Sequence, residues 1–120
     1  KNEVKYETYK LDDAEFVIVA YGSTSRICKS VIDKARADGI KAGMIRPITI
    51  FPFPYEVIAK AAEHAKMFLS VEMSMGQMVE DVKLAVNGKV PVKFFGTAGG
   101  VVPTAASILA KVKELAGEGK

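Results

Sequence analysis

The chain has 120 residues, the length of one domain, and its hydrophobic content of 49% is that of a globular protein. Its net charge of +3 comes from dispersed lysines, and no basic block interleaved with aromatic residues indicates nucleic-acid binding. No apolar run approaches the roughly 20 residues of a membrane span, and one cysteine excludes a disulfide framework.

These features predict a single cytoplasmic domain over residues 1–120, with neither nucleic acid nor a membrane as a partner. The chain begins with lysine rather than methionine. We therefore expect it to be a piece of a longer protein.

The first half of the chain alternates between strand and helix patterns. Apolar positions within residues 4–9 suggest an edge strand. The continuous apolar run 16–21 is typical of a strand buried on both faces. Apolar residues then recur at helical spacing, which predicts a helix capped by Thr24 or Ser25 and ending near Gly39. The pattern is that of a strand–helix unit.

The second half continues the alternation after a short strand and a proline-rich loop. The predicted elements are a strand at 41–46, a loop at 47–54, a helix at 55–64, a strand at 67–72, a helix at 75–86, a strand at 92–95 and a helix at 104–116. Such regular alternation predicts a mostly parallel sheet with helices on both faces. Ligands of these sheets lie outside the carboxyl ends of the strands.

The sequence contains no motif typical of a catalytic or metal-binding site. His64 is the sole histidine, and its place at a predicted helix end indicates a surface or capping role. Cys28 lies on the apolar face of a predicted helix and is expected in the core. The turn at 22–25 is neither a dinucleotide-binding fingerprint nor a P-loop. We therefore assign no catalytic, cofactor-binding or metal-binding residue.

Aromatic residues interleaved with prolines give the most informative segment. Phe51, Phe53 and Tyr55 alternate with Pro52 and Pro54, which restrict the backbone to an extended course. At least one ring is then expected to face outward. Exposed apolar clusters usually mark a contact with a partner, so the three rings are candidate interface residues.

Four segments together resemble the C-terminal domain of transketolase. They are residues 17–26, 45–54, 71–78 and 95–103. The Pro-Phe-Pro form of the second segment is similar to the α subunits of 2-oxoacid:ferredoxin oxidoreductases. The resemblance implies a three-layer α/β/α sandwich with a mostly parallel, five-stranded mixed sheet. The edge strand suggested near the N-terminus would be the one that runs against the rest.

The resemblance also implies a function for a parent complex. Such complexes oxidatively decarboxylate a 2-oxoacid to an acyl-CoA and pass the electrons to ferredoxin, using thiamine diphosphate, Mg²⁺, iron–sulfur clusters and CoA. This domain would bind none of those cofactors, be inactive alone, and contact other domains or subunits of the oligomer. Arg46, Glu72 and Gln77 are the polar residues at strand ends expected to reach such a neighbour, and a local hydrogen bond is the alternative for each.

Two alternatives stay open. One is the C-terminal domain of an E1β-type subunit of a thiamine-dependent 2-oxoacid dehydrogenase, which would pass electrons to lipoamide. The other is a stand-alone small-ligand-binding domain of flavodoxin-like or receiver-like form. A receiver needs an acidic cluster after its first parallel strand, where this chain has Tyr21 and Gly22.

Overall fold

The computed structural model describes residues 5–48, 53–72, 77–96 and 103–118. The described part contains strands and helices in the predicted order. They are β1 (Tyr6–Tyr9), β2 (Phe16–Val19), α1 (Ser23–Ala37), β3 (Ala42–Pro47), α2 (Tyr55–Ala61), β4 (Met67–Glu72), α3 (Gln77–Val86), β5 (Val92–Gly96) and α4 (Ala105–Glu118). No helix in this part of the chain is long and apolar enough to cross a membrane.

The strands form one five-stranded sheet in the order β1-β3-β2-β4-β5. β2, β3, β4 and β5 are parallel to their neighbours, whereas β1 pairs with β3 in the antiparallel direction. The predicted mixed α/β sheet and its single reversed edge strand are therefore confirmed.

Alternating side chains on the strands build one core on each face of the sheet. On one face, Val19 and Phe68 pack in a cluster with Ile58 of α2 and Val82 of α3. On the other face, Ile18 and Leu69 belong to a cluster that also holds residues of α1 and α4. Two helices on each side of a central sheet make the three layers expected.

The connection from β2 to α1 differs from the prediction. β2 ends at Val19, and α1 is capped by Gly22 rather than by Thr24 or Ser25. Gly22 has a φ of 68°, in the left-handed region that glycine adopts without a steric penalty. The Ser25 hydroxyl donates a 2.7 Å hydrogen bond back to the Gly22 carbonyl. A sharp turn thus takes the place of a side-chain cap.

Helix α2 is shorter than predicted. It ends at Ala61, and Ala62 to His64 form a turn. In this turn the amides of His64 and Ala65 both donate to the Ala61 carbonyl, at 3.2 and 2.9 Å. The start predicted for α3 at Met75 lies outside the described residues, and α3 is described from Gln77.

Candidate interface at the carboxyl edge of the sheet

The four parallel strands end along one side of the sheet, called here the carboxyl edge. Their last residues are Val19, Pro47, Glu72 and Gly96. Of the predicted interface residues, Phe51 lies outside the described part of the chain. Gln77 begins α3, but its side chain is also outside the described part. Their roles stay predictions.

The Glu72 side chain turns inward at the end of β4. Its residue is only 1% exposed. The carboxylate accepts hydrogen bonds from the backbone amides of Met78 and Val79, each 2.8 Å long, and from the Ser70 hydroxyl at 3.0 Å. These amides belong to the first turn of α3, where N–H groups lack helical partners and a negative charge is favoured.

Glu72 therefore stabilises the start of α3 from within the domain. The local amides take up the buried charge of Glu72, and a contact of its carboxylate with a neighbouring domain stays a prediction. The alternative of a local hydrogen bond is the one observed.

Arg46 extends from β3 toward the edge strand β1. Its Nη1 atom lies 2.8 Å from the Glu7 Oε1 atom, and the two residues are register partners in the β1–β3 pair. The Arg46 Nε atom is buried and has no hydrogen-bond partner among the described residues. A local ion pair thus occupies part of the guanidinium, and a contact of Arg46 with a neighbouring domain stays a prediction.

The aromatic residues before α2 point in different directions. Phe53 is 4% exposed and packs in the cluster beneath α2 and α3. The ring thus fills the core of the domain, and its predicted contact with a neighbouring domain stays a prediction. Tyr55 is 42% exposed and meets Phe53 edge to face, with ring centroids 5.2 Å apart. The expectation that at least one ring faces outward is confirmed by Tyr55.

A groove of about 340 Å³ lies between β1 and the start of α2, and we call it the aromatic groove. Its lining residues are Tyr6, Phe53, Pro54, Tyr55, Glu56 and Val57. Tyr6 is 44% exposed. Ile48 is 49% exposed. It lies beside Tyr6, because the Ile48 amide donates a 2.9 Å hydrogen bond to the carbonyl of Lys5, the residue before Tyr6. The groove is therefore a largely apolar surface at the corner of the domain.

Tyr6 and Ile48 were missed by the sequence reasoning. Ile48 directly follows a predicted strand, and Tyr6 belongs to the weakly indicated strand β1. Tyr6 and Ile48 lie near Phe53 and Tyr55 only because Tyr6 pairs with Pro47 in the antiparallel β1–β3 pair.

The chain has one thiol, that of Cys28, and one imidazole, that of His64. Cys28 is fully buried, and burial raises the pKa of its thiol to about 12. His64 is exposed in the turn after α2. Within the described ranges, no three residues of the types His, Cys, Asp and Glu lie close enough to hold a metal ion.

Comparison with known proteins identifies the family. Residues 14–108 match the family described as pyruvate:ferredoxin oxidoreductase core domain II. The chain belongs to this family.

Two curated relatives agree with this family assignment. The chain is 53% identical over 118 residues to ketoisovalerate oxidoreductase subunit VorB of Methanothermobacter marburgensis, covering 98% of this chain and 33% of the relative. It is 36% identical to 2-oxoglutarate synthase subunit KorA of the same organism, covering 84% of this chain and 27% of the relative. The chain thus spans about a third or less of the length of these relatives.

The solved structure is a 2-oxoglutarate:ferredoxin oxidoreductase from Magnetococcus marinus, with 2-oxoglutarate, coenzyme A and succinyl-CoA bound. It superposes with a TM-score of 0.80 at 21% identity, over 92% of this chain and 19% of that chain. At this identity the likeness shows the fold.

Proposed function

We propose that this chain is the C-terminal domain of the α subunit of a 2-oxoacid:ferredoxin oxidoreductase, with a structural and interface role. The family match and the oxidoreductase subunits among its relatives support this function. The 53% identity to a ketoisovalerate oxidoreductase subunit favours a branched-chain 2-oxoacid as the substrate of the parent complex. That complex would form an acyl-CoA and reduce ferredoxin in the cytoplasm.

The exposed aromatic groove is the single observation that carries the interface role. Tyr6, Ile48 and Tyr55 present large apolar surfaces at one corner of the domain. Large exposed rings around a concave surface are typical of protein contacts, where buried aromatic anchors contribute much of the binding energy. A neighbouring domain or subunit would cover this corner.

Thiamine diphosphate, Mg²⁺, the iron–sulfur clusters and CoA would be bound by other parts of the complex. This division of labour agrees with the single buried thiol of Cys28, since clusters are held by several thiolates. Calorimetry of the 120-residue chain with thiamine diphosphate and Mg²⁺ tests it. We expect no binding heat, and micromolar affinity would overturn the division.

The interface role is tested in the full-length subunit, assembled with its partner subunits. Tyr6→Ala removes one wall of the aromatic groove, and its side chain makes no hydrogen bond with the described residues. If Tyr6 is an anchor, association weakens by roughly thirtyfold, or about 2 kcal/mol. Leu84→Ala is the control, because Leu84 is 69% exposed on α3 and does not line the groove. Equal assembly of the two variants would refute a contact at this corner.

A further inference from the structure

β5 has an open edge on the side of the sheet opposite β1. Among the described strands it pairs only with β4. The Phe68 amide donates a 3.0 Å hydrogen bond to the Pro91 carbonyl. The backbone groups of Pro91 therefore face β4. Because the backbone groups of successive residues point to opposite sides of a strand, the amides of Val92 and Phe94 point away from β4. An edge with outward N–H and C=O groups can accept another strand.

An apolar strip runs along this edge on the face covered by α3. Val92 and Phe94 are register partners of Phe68 and Ser70, and therefore lie on the face of the sheet that carries the Phe68 cluster. Phe94 is 41% exposed. Its ring lies so close over Gly96 that a Cβ atom there would overlap it. The exposed ring thus lies over Gly96, beside the open edge.

A cavity of about 310 Å³ extends the strip toward the end of α3. It is lined by Lys83, Val86, Gly88, Val90 and Val92. Strands of parallel sheets are normally covered on both faces, yet every residue of β5 is at least partly exposed. The cavity and the strip together offer space for apolar side chains of an added strand.

The charged residues of β5 and the turn before it are lysines. Residues 87–96 include Lys89 and Lys93 and no Asp or Glu. Neither lysine makes an ion pair with the described part of the chain. Lys83 borders the cavity, and its exposed contact with Glu80 at 4.0 Å is weak.

The opposite edge is different, because β1 and the residue after it use their charges within the domain. Glu7 pairs with Arg46, and Lys10 pairs with Asp33. Lysines can protect an edge strand from unwanted pairing. Protection alone does not require the exposed Phe94 ring or the apolar cavity.

We propose that the β5 edge binds an extended acidic segment of a partner polypeptide as a sixth strand. Side chains alternate between the faces of a strand. The apolar residues of the segment would therefore pack on Val90, Val92 and Phe94, while its carboxylates meet Lys93 on the other face. Charge complementarity selects an acidic partner over a basic one. This site goes beyond the proposed function, since the aromatic groove lies beside β1.

A synthetic peptide tests the proposal on the 120-residue chain. The probe is an end-blocked peptide of about eight residues, alternating valine and glutamate, which matches a typical strand length. The matched control replaces glutamate with lysine. We expect the acidic peptide to slow hydrogen exchange of the Val92 and Phe94 amides by about tenfold or more, as new hydrogen bonds protect them. Equal binding of the lysine peptide, or protection at β1 instead, would overturn the proposal.

Two variants separate the backbone contribution from the charge contribution. Val92→Pro removes an outward donor and is tolerated only at a strand edge of this kind, so it should abolish protection at Phe94. Lys93→Glu reverses the charge and should weaken peptide binding by about tenfold. Leu84→Ala should bind like the wild type. If Val92→Pro does not fold, as shown by circular dichroism, Lys93→Glu decides: unchanged affinity for the acidic peptide would refute the proposal.

Discussion

The Tyr55 hydroxyl donates a 2.8 Å hydrogen bond to the Asp81 carboxylate and so joins the start of α2 to the middle of α3. This bond, together with burial and the negative charge of Asp81, raises the pKa of Tyr55 above its ordinary value. Tyr55 therefore has two roles: its ring lines the aromatic groove, and its hydroxyl positions two helices.

Tyr55→Phe should separate these roles, because it keeps the ring and removes the hydrogen bond. Since the folded pKa is raised, the protonated phenol stabilises the fold below the unfolded pKa of about 10. This stabilisation is lost as the pH rises through the folded pKa. Thermal unfolding of both proteins at about pH 8 and about pH 11 checks it. The variant should melt lower at the first pH, and the difference should shrink at the second. A constant difference would contradict this assignment.

Glu72→Gln should destabilise the domain, because an amide cannot accept hydrogen bonds at both of its terminal atoms. At least one of the buried partners at Ser70, Met78 or Val79 then loses its acceptor. The expected loss is about 1–3 kcal/mol in the free energy of unfolding, measured with urea. Glu80→Gln is the matched control, since the Glu80 side chain is 74% exposed on α3, the helix whose first amides Glu72 accepts from. Equal effects of the two changes would show that the Glu72 contacts do not stabilise α3.

The sequence predicts those elements well whose pattern is set by burial. β4 was predicted with its observed bounds, Met67–Glu72, because all six of its residues are buried. The ends of α1 and α3 were also indicated, since Gly39 and Gly88 adopt positive φ angles that favour glycine. The start of α1 was predicted wrongly, because nothing in the local pattern distinguishes a capping serine from a sharp turn at Gly22.

Side-chain direction at the candidate interface was harder to predict. Alternation of Phe53 and Tyr55 with prolines indicates an extended backbone, but not which ring enters the core. That choice depends on α2 and α3 meeting above the sheet. Glu72 is similar, because its inward turn depends on where the first amides of α3 lie in space. Such contacts join residues through tertiary structure, which periodicity does not report.

Cys28 should react slowly with a thiol reagent in the folded protein. The thiolate is the reactive form, and burial raises the pKa of this thiol to about 12. Reaction should be fast in denaturant, and the ratio of the two rates measures protection by the fold. Cys28→Ser should cost roughly 1–3 kcal/mol, because a buried hydroxyl would be left without a good partner. Equal rates in the folded and denatured states would mean that the inner face of α1 is assigned wrongly.

Phe53→Ala should destabilise the 120-residue chain strongly. The ring is 4% exposed and packs in the cluster that contains Ile58 and Val82. Truncating a buried phenylalanine typically costs about 3–5 kcal/mol, since it loses apolar contacts and leaves a cavity. Tyr6→Ala is the control on the opposite wall of the groove, because Tyr6 is 44% exposed. It should change the stability by only about 0.5 kcal/mol.

Chemical denaturation of both variants measures these values, and assembly with partner subunits is then compared at equal folded fractions. Any loss of assembly in Phe53→Ala should follow its loss of folded protein, because the ring is buried within the domain. Phe51→Ala provides the test of the remaining ring: normal assembly would remove Phe51 from the interface. A Phe53→Ala protein as stable as the wild type would contradict the placement of this ring in the core.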